Sequence, residues 1–570
     1  MWPFDNSWKD IAAKKQAERA AAIAAAARTI QSYHLPQRSA HLSATAGEIT
    51  HNIQTHTAGW TAELVTAAYI SRALEAHAAT NCITEVMFLD ALEQARALDK
   101  EFEATGRARG ALHGVPVSFK DQFNVKGYDS TIGYTQWAYN PAKEDGLLVA
   151  QVKAAGGIPI CKTNVPQTLL SFECANPVFS RTSHPISPLH IPGGSSGGEA
   201  ALLACGGSAL GFGGDIGGSL RIPAGLSGCW ALKCGVPRFS AWGSASPDPG
   251  FEAILVNNGP MARSVADLKL ACQTLCGLPG GPNEHLPPVP WREVKLPPKL
   301  RIGYYTSDNI VEMSPPVKRA VREAVAALTK AGHECVEFVP PNALEAMECF
   351  TALTSSDGYR TLTSHLGPDP QDASLFLVTL GPSIPQFLRS FATWVLRTFV
   401  GDHRFARLMA ASRYKSVGEF VDWTARRNEL MVEYNAKVWE EQAFDFVLAP
   451  VQAMPAVPHG ATRTLVPLAS ATIYYNTLHY PAGVVPVTRV QPTDVWPDAP
   501  PAERDPGSVM LRTEMRRVYD AHAMTGLPVG VQVVGRPWEE ERVLEAMAVL
   551  DAALGPRGFG PGSWTPPQAV

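Results

Sequence analysis

Charge is scarce in this 570-residue chain: 18 % of its residues are Asp, Glu, Lys or Arg, and they balance to −4 at neutral pH. That leaves no basic footprint for nucleic acid. Close metal-ligand pairs are missing too. None of the 15 histidines forms His-x-x-x-His and none of the 10 cysteines forms Cys-x-x-Cys, so neither metal nor cofactor is expected. Cys272 and Cys276, four apart, read instead as two buried small residues on one helix face. The chain has no Asn-x-Ser/Thr acceptor site, and its start, Met1-Trp2-Pro3-Phe4-Asp5, is not basic. The alanine run from Ala20 to Ala27 is too short, and too charged at its flanks, for a signal peptide. No stretch is long and apolar enough to span a bilayer as a helix. These absences together lead us to expect a reduced, cytoplasmic protein.

Apolar material is ample, with 45 % hydrophobic residues. Helices are expected from Ser7 to about Ser32, from Thr61 to about Thr80 and from Glu85 to Thr105. The runs Val115-Pro116-Val117-Ser118-Phe119 and Gly157-Ile158-Pro159-Ile160-Cys161 read as buried strands. From Arg301 to Phe338 the pattern is strand, helix (Pro316 to Ala331), strand. This alternation indicates an α/β protein on a mainly parallel or mixed sheet. The proline-rich stretches Pro279–Pro298 and Pro492–Pro506 read as surface excursions, because sheet-type runs flank each.

The densest signal is Pro192-Gly193-Gly194-Ser195-Ser196-Gly197-Gly198, followed by Asp215-Ile216-Gly217-Gly218-Ser219-Leu220-Arg221. Glycine is costly to order and serine buries little apolar surface, so these runs are poor core material. They suit a site that brings backbone N–H groups up to a reacting atom. Upstream, Lys120 ends the apolar run Leu112-His113-Gly114-Val115-Pro116-Val117-Ser118-Phe119, where a charge is expensive unless it is used. Amide hydrolysis needs a nucleophile, a base and oxyanion donors. Ser219 fits the first, and Ile216-Gly217-Gly218 the donors. No histidine is visibly placed by an acid. Lys120 serves as base only if burial makes it neutral, with Ser195 relaying the proton. Singly, such a lysine is ordinarily a strand end and a Gly-Gly-Ser a loop; the three in order carry the chemistry.

With Gly193-Gly194-Ser195-Ser196-Gly197-Gly198-Glu199-Ala200 and the run from Asp215 to Arg221, the chain resembles the amidase signature family. The resemblance reaches from about Trp8 to Gly526-Leu527-Pro528-Val529-Gly530-Val531-Gln532-Val533-Val534-Gly535-Arg536. It implies a single α/β domain with a mixed, twisted sheet sandwiched between helices, and a Ser-Ser-Lys triad. Residues 1–60 would be a helical segment packed on the core, 61–570 the catalytic domain and 374–410 a hydrophobic cap. By position the triad is Ser219, Ser195 (in a cis peptide) and Lys120. Ile216, Gly217, Gly218 and Ser219 would form the oxyanion hole, supported by Ser196, Asp215 and Arg221, and Leu169, Ser171 and Phe172 would line the substrate pocket. Lys233-Cys234 departs from the family, much of which has proline after that lysine.

Two relatives compete within the family. The stretch from Lys120 to Tyr128 resembles fungal acetamidases and general amidases, and Lys162 to Pro177 resembles fatty acid amide hydrolases. The segment Ile384 to Val400 favours the latter. At about 100° per residue, Gln386, Arg389, Ser390, Thr393 and Arg397 share an arc of roughly 100° and apolar residues fill the rest. Arg404 and Arg407 extend the basic character. Such a helix suits a membrane surface, so peripheral contact through 384–400 with intracellular membranes is expected beside the alternative of a helix packed on the core. Long-chain fatty acyl amides are the expected substrates, with short-chain or aryl amides, esters or carbamates as alternative. Two further readings stay open: a lipase-type elbow with Ser196 as nucleophile, and a non-catalytic amidotransferase-type subunit. A homodimer also stays open.

Overall fold

Short apolar runs punctuated by glycine and proline become the strands of one sheet. The computed structural model describes residues 5–282, 284, 286–497 and 506–565; parts of both proline-rich stretches, 283, 285 and 498–505, lie outside it. In chain order the strands are β1 (Ile83–Val86), β2 (Pro116–Lys120), β3 (Ile158–Thr163), β4 (Leu210–Asp215), β5 (Trp230–Lys233), β6 (Asn257–Ala262), β7 (Arg301–Tyr304), β8 (Glu334–Glu337), β9 (Phe446–Pro450), β10 (Ala482–Arg489) and β11 (Pro528–Val534). They form an 11-stranded sheet in the order β1-β3-β2-β4-β6-β5-β10-β11-β9-β7-β8. β3, β2 and β4 run parallel, as do β9, β7 and β8; the pairings from β4 through β6, β5, β10 and β11 to β9 are antiparallel. The sheet is therefore mixed and, flanked by helices, gives the expected α/β fold.

Every residue of β2, β3, β4, β6, β9 and β11 is buried. A strand covered on both faces needs no polar alternation, which is why β2 and the start of β3 read as short apolar runs. Helices Arg221–Ser227, Pro315–Lys330 and Glu540–Leu554 contact both β10 and β11. Thr61 accepts from the Leu64 N–H and so starts the helix Ala62–Thr80 where the sequence predicts it. The helix Ser7–Gln31 is pinned by Lys15, whose Nζ donates to Glu85 at 2.6 Å and to Asp129 at 2.9 Å.

One boundary differs from expectation. The helix predicted from Glu85 begins at Phe88, and Ile83–Val86 instead pairs antiparallel with β3. β-Branched Ile83, Thr84 and Val86 favour the pleated conformation, and the neighbouring strand decides it. Among the described residues no helix is long and apolar enough to cross a membrane. All ten cysteines are free and all are buried except Cys335 on β8, which is half-buried.

The segment expected as one helix over Ile384–Val400 is an α-helix, Gln386–Val395, closed by a π-helical turn, Leu396–Val400. Its orientation is inverted relative to a helix packed on a core. Arg389 and Thr393 of the polar strip face inward, and Arg389 Nη1 donates to the carbonyls of Gly381 and Ile384, both at 3.2 Å. The apolar side faces outward, with Phe387 72 %, Phe391 61 %, Trp394 51 % and Phe399 72 % exposed. Arg404 and Arg407 do not extend a free basic strip: Arg404 donates to the Asn309 carbonyl and Arg407 pairs with Glu348.

The helix Gly197–Ala204 must approach β3 closely to bring Ser195 to the end of β2. Gly198 donates to the Asn164 carbonyl at 3.0 Å, and a Cβ there would lie 2.3 Å from the Asn164 nitrogen and 2.6 Å from the Cys82 carbonyl oxygen. Because backbone cannot yield as a side-chain tip does, Gly198→Ala is expected to destabilise the fold by about 1–3 kcal/mol. A thermal melt that falls for Gly198→Ala but not for Gly250→Ala, where a Cβ meets nothing within 4 Å, is the expected outcome.

Candidate active site

Lys120 is the last residue of β2 and is 1 % exposed. Parallel pairing sets Phe119 beside Phe212 of β4, so the lysine emerges next to the glycine-rich end of that strand. Its Nζ donates to Ser195 Oγ at 2.7 Å and to the Gly214 carbonyl at 3.4 Å. Burial pushes the lysine down to about 7, against the opposing pull of Asp215, Cys174 and Glu199. Burial therefore favours the unprotonated amine. Glu199 lies close by, held by the hydroxyls of Ser118 and Thr163, and burial pushes its carboxyl up to about 7.

Ser195 follows a cis peptide bond from Gly194, and both line the floor of the site. Ser196 is fully buried; its N–H donates to the Ser219 carbonyl at 3.1 Å, while its own hydroxyl makes no hydrogen bond among the described residues. The segment before it, Pro185 to Pro192, is loop. The strand that a lipase-type elbow at Ser196 requires is absent there.

The turn that carries Ser219 leaves β4 at Asp215. This carboxylate accepts from the N–H groups of Gly218 at 2.8 Å and Leu220 at 3.1 Å, from Arg221 Nε at 3.0 Å and from Asn476 Nδ2 at 2.9 Å. Burial would raise its pKa, but the Arg221 guanidinium and these donors hold it well below the usual carboxylate range. Arg221 is fully buried and reaches Gln532 of β11 at 2.8 Å and the Thr472 carbonyl at 3.1 Å. Gly218 has φ +125°, and a Cβ there would lie 2.4 Å from Thr472 Oγ1, so only glycine fits. Gly218, placed by the sequence among the oxyanion donors, directs its N–H to Asp215 at 2.8 Å.

Two cavities meet at Ser219. One is strongly apolar and runs past Ile222, Met347, Phe350 and Ile473 to Leu380 and Ile384, just before the outward-facing aromatic helix. Leu169, Ser171 and Phe172 line it. Met347, Phe350 and Ile473 were not singled out by the sequence, because each reads there as ordinary core. The second cavity is more polar and holds Lys120 and Ser195. Leu169, Leu170, Ile216 and Tyr359 border both. Thr168 and Leu169, at φ +71° and +63°, turn the chain sharply into this partition.

Comparison with known families matches residues 64–544 to the family described as Amidase. The chain is 34 % identical over 500 residues to fatty acid amide hydrolase 1 of Caenorhabditis elegans, covering 85 % of this chain and 84 % of that protein. It is also 34 % identical over 501 residues to amidase 1 of Gibberella moniliformis (strain M3125 / FGSC 7600), covering 85 % and 88 %. Among solved structures, a fatty acid amide hydrolase superposes with a TM-score of 0.80 at 28 % identity, covering 91 % of this chain and 87 % of that one. A family match over most of the chain, on a sheet that delivers a buried lysine to the serine-glycine turns, shows that this protein belongs to the amidase signature family of serine amidases.

Proposed function

We propose that the protein hydrolyses fatty acyl amides through an acyl-enzyme on Ser219. The observation that carries this reading is the apolar cavity that runs from Ser219 to Leu380 and Ile384, two residues before the helix Gln386–Val395 whose aromatics face outward. An alkyl chain of a lipid amide would fill it, at about 0.8 kcal/mol for each buried methylene. In this reading unprotonated Lys120 takes the Ser219 proton by way of Ser195, and Ser219 Oγ attacks the amide carbon. The N–H groups of Ile216, Gly217 and Ser219 hold the oxyanion. The proton then returns through Ser195 to the amide nitrogen, the C–N bond breaks and the amine leaves. Water, activated by the same relay, hydrolyses the ester and frees Ser219. Asp215 and Arg221 hold the turn that presents Ser219, and Ser196 contributes its backbone N–H rather than its hydroxyl.

The aromatic face adds a peripheral lipid contact, with residues 374–410 as a cap over the catalytic domain and 1–60 as its N-terminal helical segment. Phe387, Phe391, Trp394 and Phe399 would enter the acyl boundary of a bilayer beside the mouth of the cavity. Near-equal similarity to a fungal amidase keeps a short-chain amidase as the alternative.

Three measurements test this. kcat/KM on primary amides of rising acyl length is expected to climb roughly fourfold per methylene until the cavity ends, with Ser219→Ala inactive. A flat series leaves the short-chain amidase, and an active Ser219→Ala removes the mechanism. Because the lysine must be unprotonated, kcat/KM is expected to rise with pH through about 7 and to fall about tenfold per unit below it. Lys120→Ala should cost about 10²–10⁴ in rate and lose that rise. Replacing Phe387 and Trp394 together by serine is expected to cut co-sedimentation with phospholipid vesicles at least tenfold; unchanged sedimentation rejects the lipid contact.

A further inference from the structure

The two cavities divide the substrate at Ser219, and the division can be assigned by proton transfer. The amide nitrogen must receive its proton from Ser195 as the C–N bond breaks, so the amine half lies on the Ser195 side. Lys120 and Ser195 line the second cavity and not the apolar one. The acyl half therefore points into the apolar cavity and the amine half into the second. This step rests on the function proposed above.

The wall of that second cavity is one-sided in charge. Asp248, Glu252 and Asp357 line it, and among the described residues its one cationic side chain is the catalytic Lys120 at the floor. Asp357 is fixed in place, accepting from the N–H groups of Tyr359 at 2.7 Å and Thr361 at 2.8 Å. Asp248 has no hydrogen-bond donor or ion-pair partner for its carboxylate among the described residues. Burial, then the neighbouring Asp357 carboxylate, holds its carboxyl above the usual range, with His365 pulling the other way. Glu252 stands exposed at the mouth. A guest carrying an ammonium would relieve the repulsion between these carboxylates, and a guest carrying a carboxylate would add to it.

We propose that this cavity receives the amine half of the substrate and that Asp248, with Asp357 and Glu252, selects positively charged amines over negatively charged ones. The substrate class is then acyl amides of diamines or polyamines, with neutral amines next and acyl amino acids last. The chemistry balances as in any acyl transfer: the C–N bond breaks, Ser195 passes one proton to the nitrogen, and the freed amine carries its second, distal ammonium out past the carboxylates. Asp248 acts here on substrate choice and takes no part in the bond-breaking step.

The test uses the full chain and three dodecanoyl amides with leaving groups of similar size: ethylenediamine (cationic), ethanolamine (neutral) and glycine (anionic). At about pH 8, above the value of Lys120, and low salt, kcat/KM is expected to fall in that order, with about tenfold or more between the first and last. The spread should shrink in about 0.5 M NaCl, because the cavity is open to solvent and its charges are screened. Asp248→Asn should compress the cationic-to-anionic ratio, whatever it does to absolute rates, and Glu252→Gln, at an exposed position, should do so more weakly. Equal rates for the three amides, a preference for the glycine amide, or a ratio unmoved by both salt and Asp248→Asn overturns the proposal. If all three are cleaved alike and Ser219→Ala is inactive, the hydrolase reading stands and the charge selection falls. If none is cleaved, both fall.

Discussion

The buried ion pair between Asp215 and Arg221 is the contact on which the turn carrying Ser219 depends. Neither side chain is exposed, and each satisfies several partners: two backbone N–H groups of the Ser219 turn, Asn476, the Thr472 carbonyl and Gln532 in the middle of the sheet. Desolvating two charges is costly, and such a pair is no general source of stability. Its role here is geometric. It fixes the turn against two separate segments of chain, the helix Ser470–Thr477 and β11. Removing one partner would strand the other charge in the core, at a cost of about 3–5 kcal/mol.

The same low-dielectric setting acts on Lys120. A strand buried on both faces ends at an amine that is almost wholly buried, and this burial favours its unprotonated form. The polarity of each cavity then follows from its walls: helices Ala343–Thr354 and Phe376–Ser383 bring apolar side chains to one, and the loop around Asp248 brings carboxylates to the other.

What the sequence disclosed and what it hid have physical reasons. The turns around Ser195 and Ser219 were legible because chemistry that uses backbone N–H groups demands glycine locally, within a few residues. The fully buried β2 and β3 were legible as short apolar runs. β1 was not, since four residues abutting a helix carry too little pattern to outvote it, and pairing with β3 decides the matter. Periodicity over Ile384–Val400 revealed that two faces exist, but not which one turns outward; that depends on Arg389 finding carbonyls in the preceding helix. The apolar cavity was hidden for another reason. Ile222, Met347, Phe350 and Ile473 come from distant segments, and each alone is indistinguishable from core. The commitment of the Gly218 N–H to Asp215 is likewise a matter of three-dimensional aim that no local run of residues encodes.

The distribution of thiols has a practical consequence. Nine of the ten cysteines are sealed within the core, and the remaining one, Cys335, sits half-buried on β8 at the rim of the sheet, far along the strand order from β2 and β4. A thiol-directed dye added to the native protein meets a single addressable position, away from Lys120 and both serines. Each further equivalent of label taken up reports that part of the sheet has opened, so alkylation stoichiometry becomes a gauge of core integrity that can be read without any substrate.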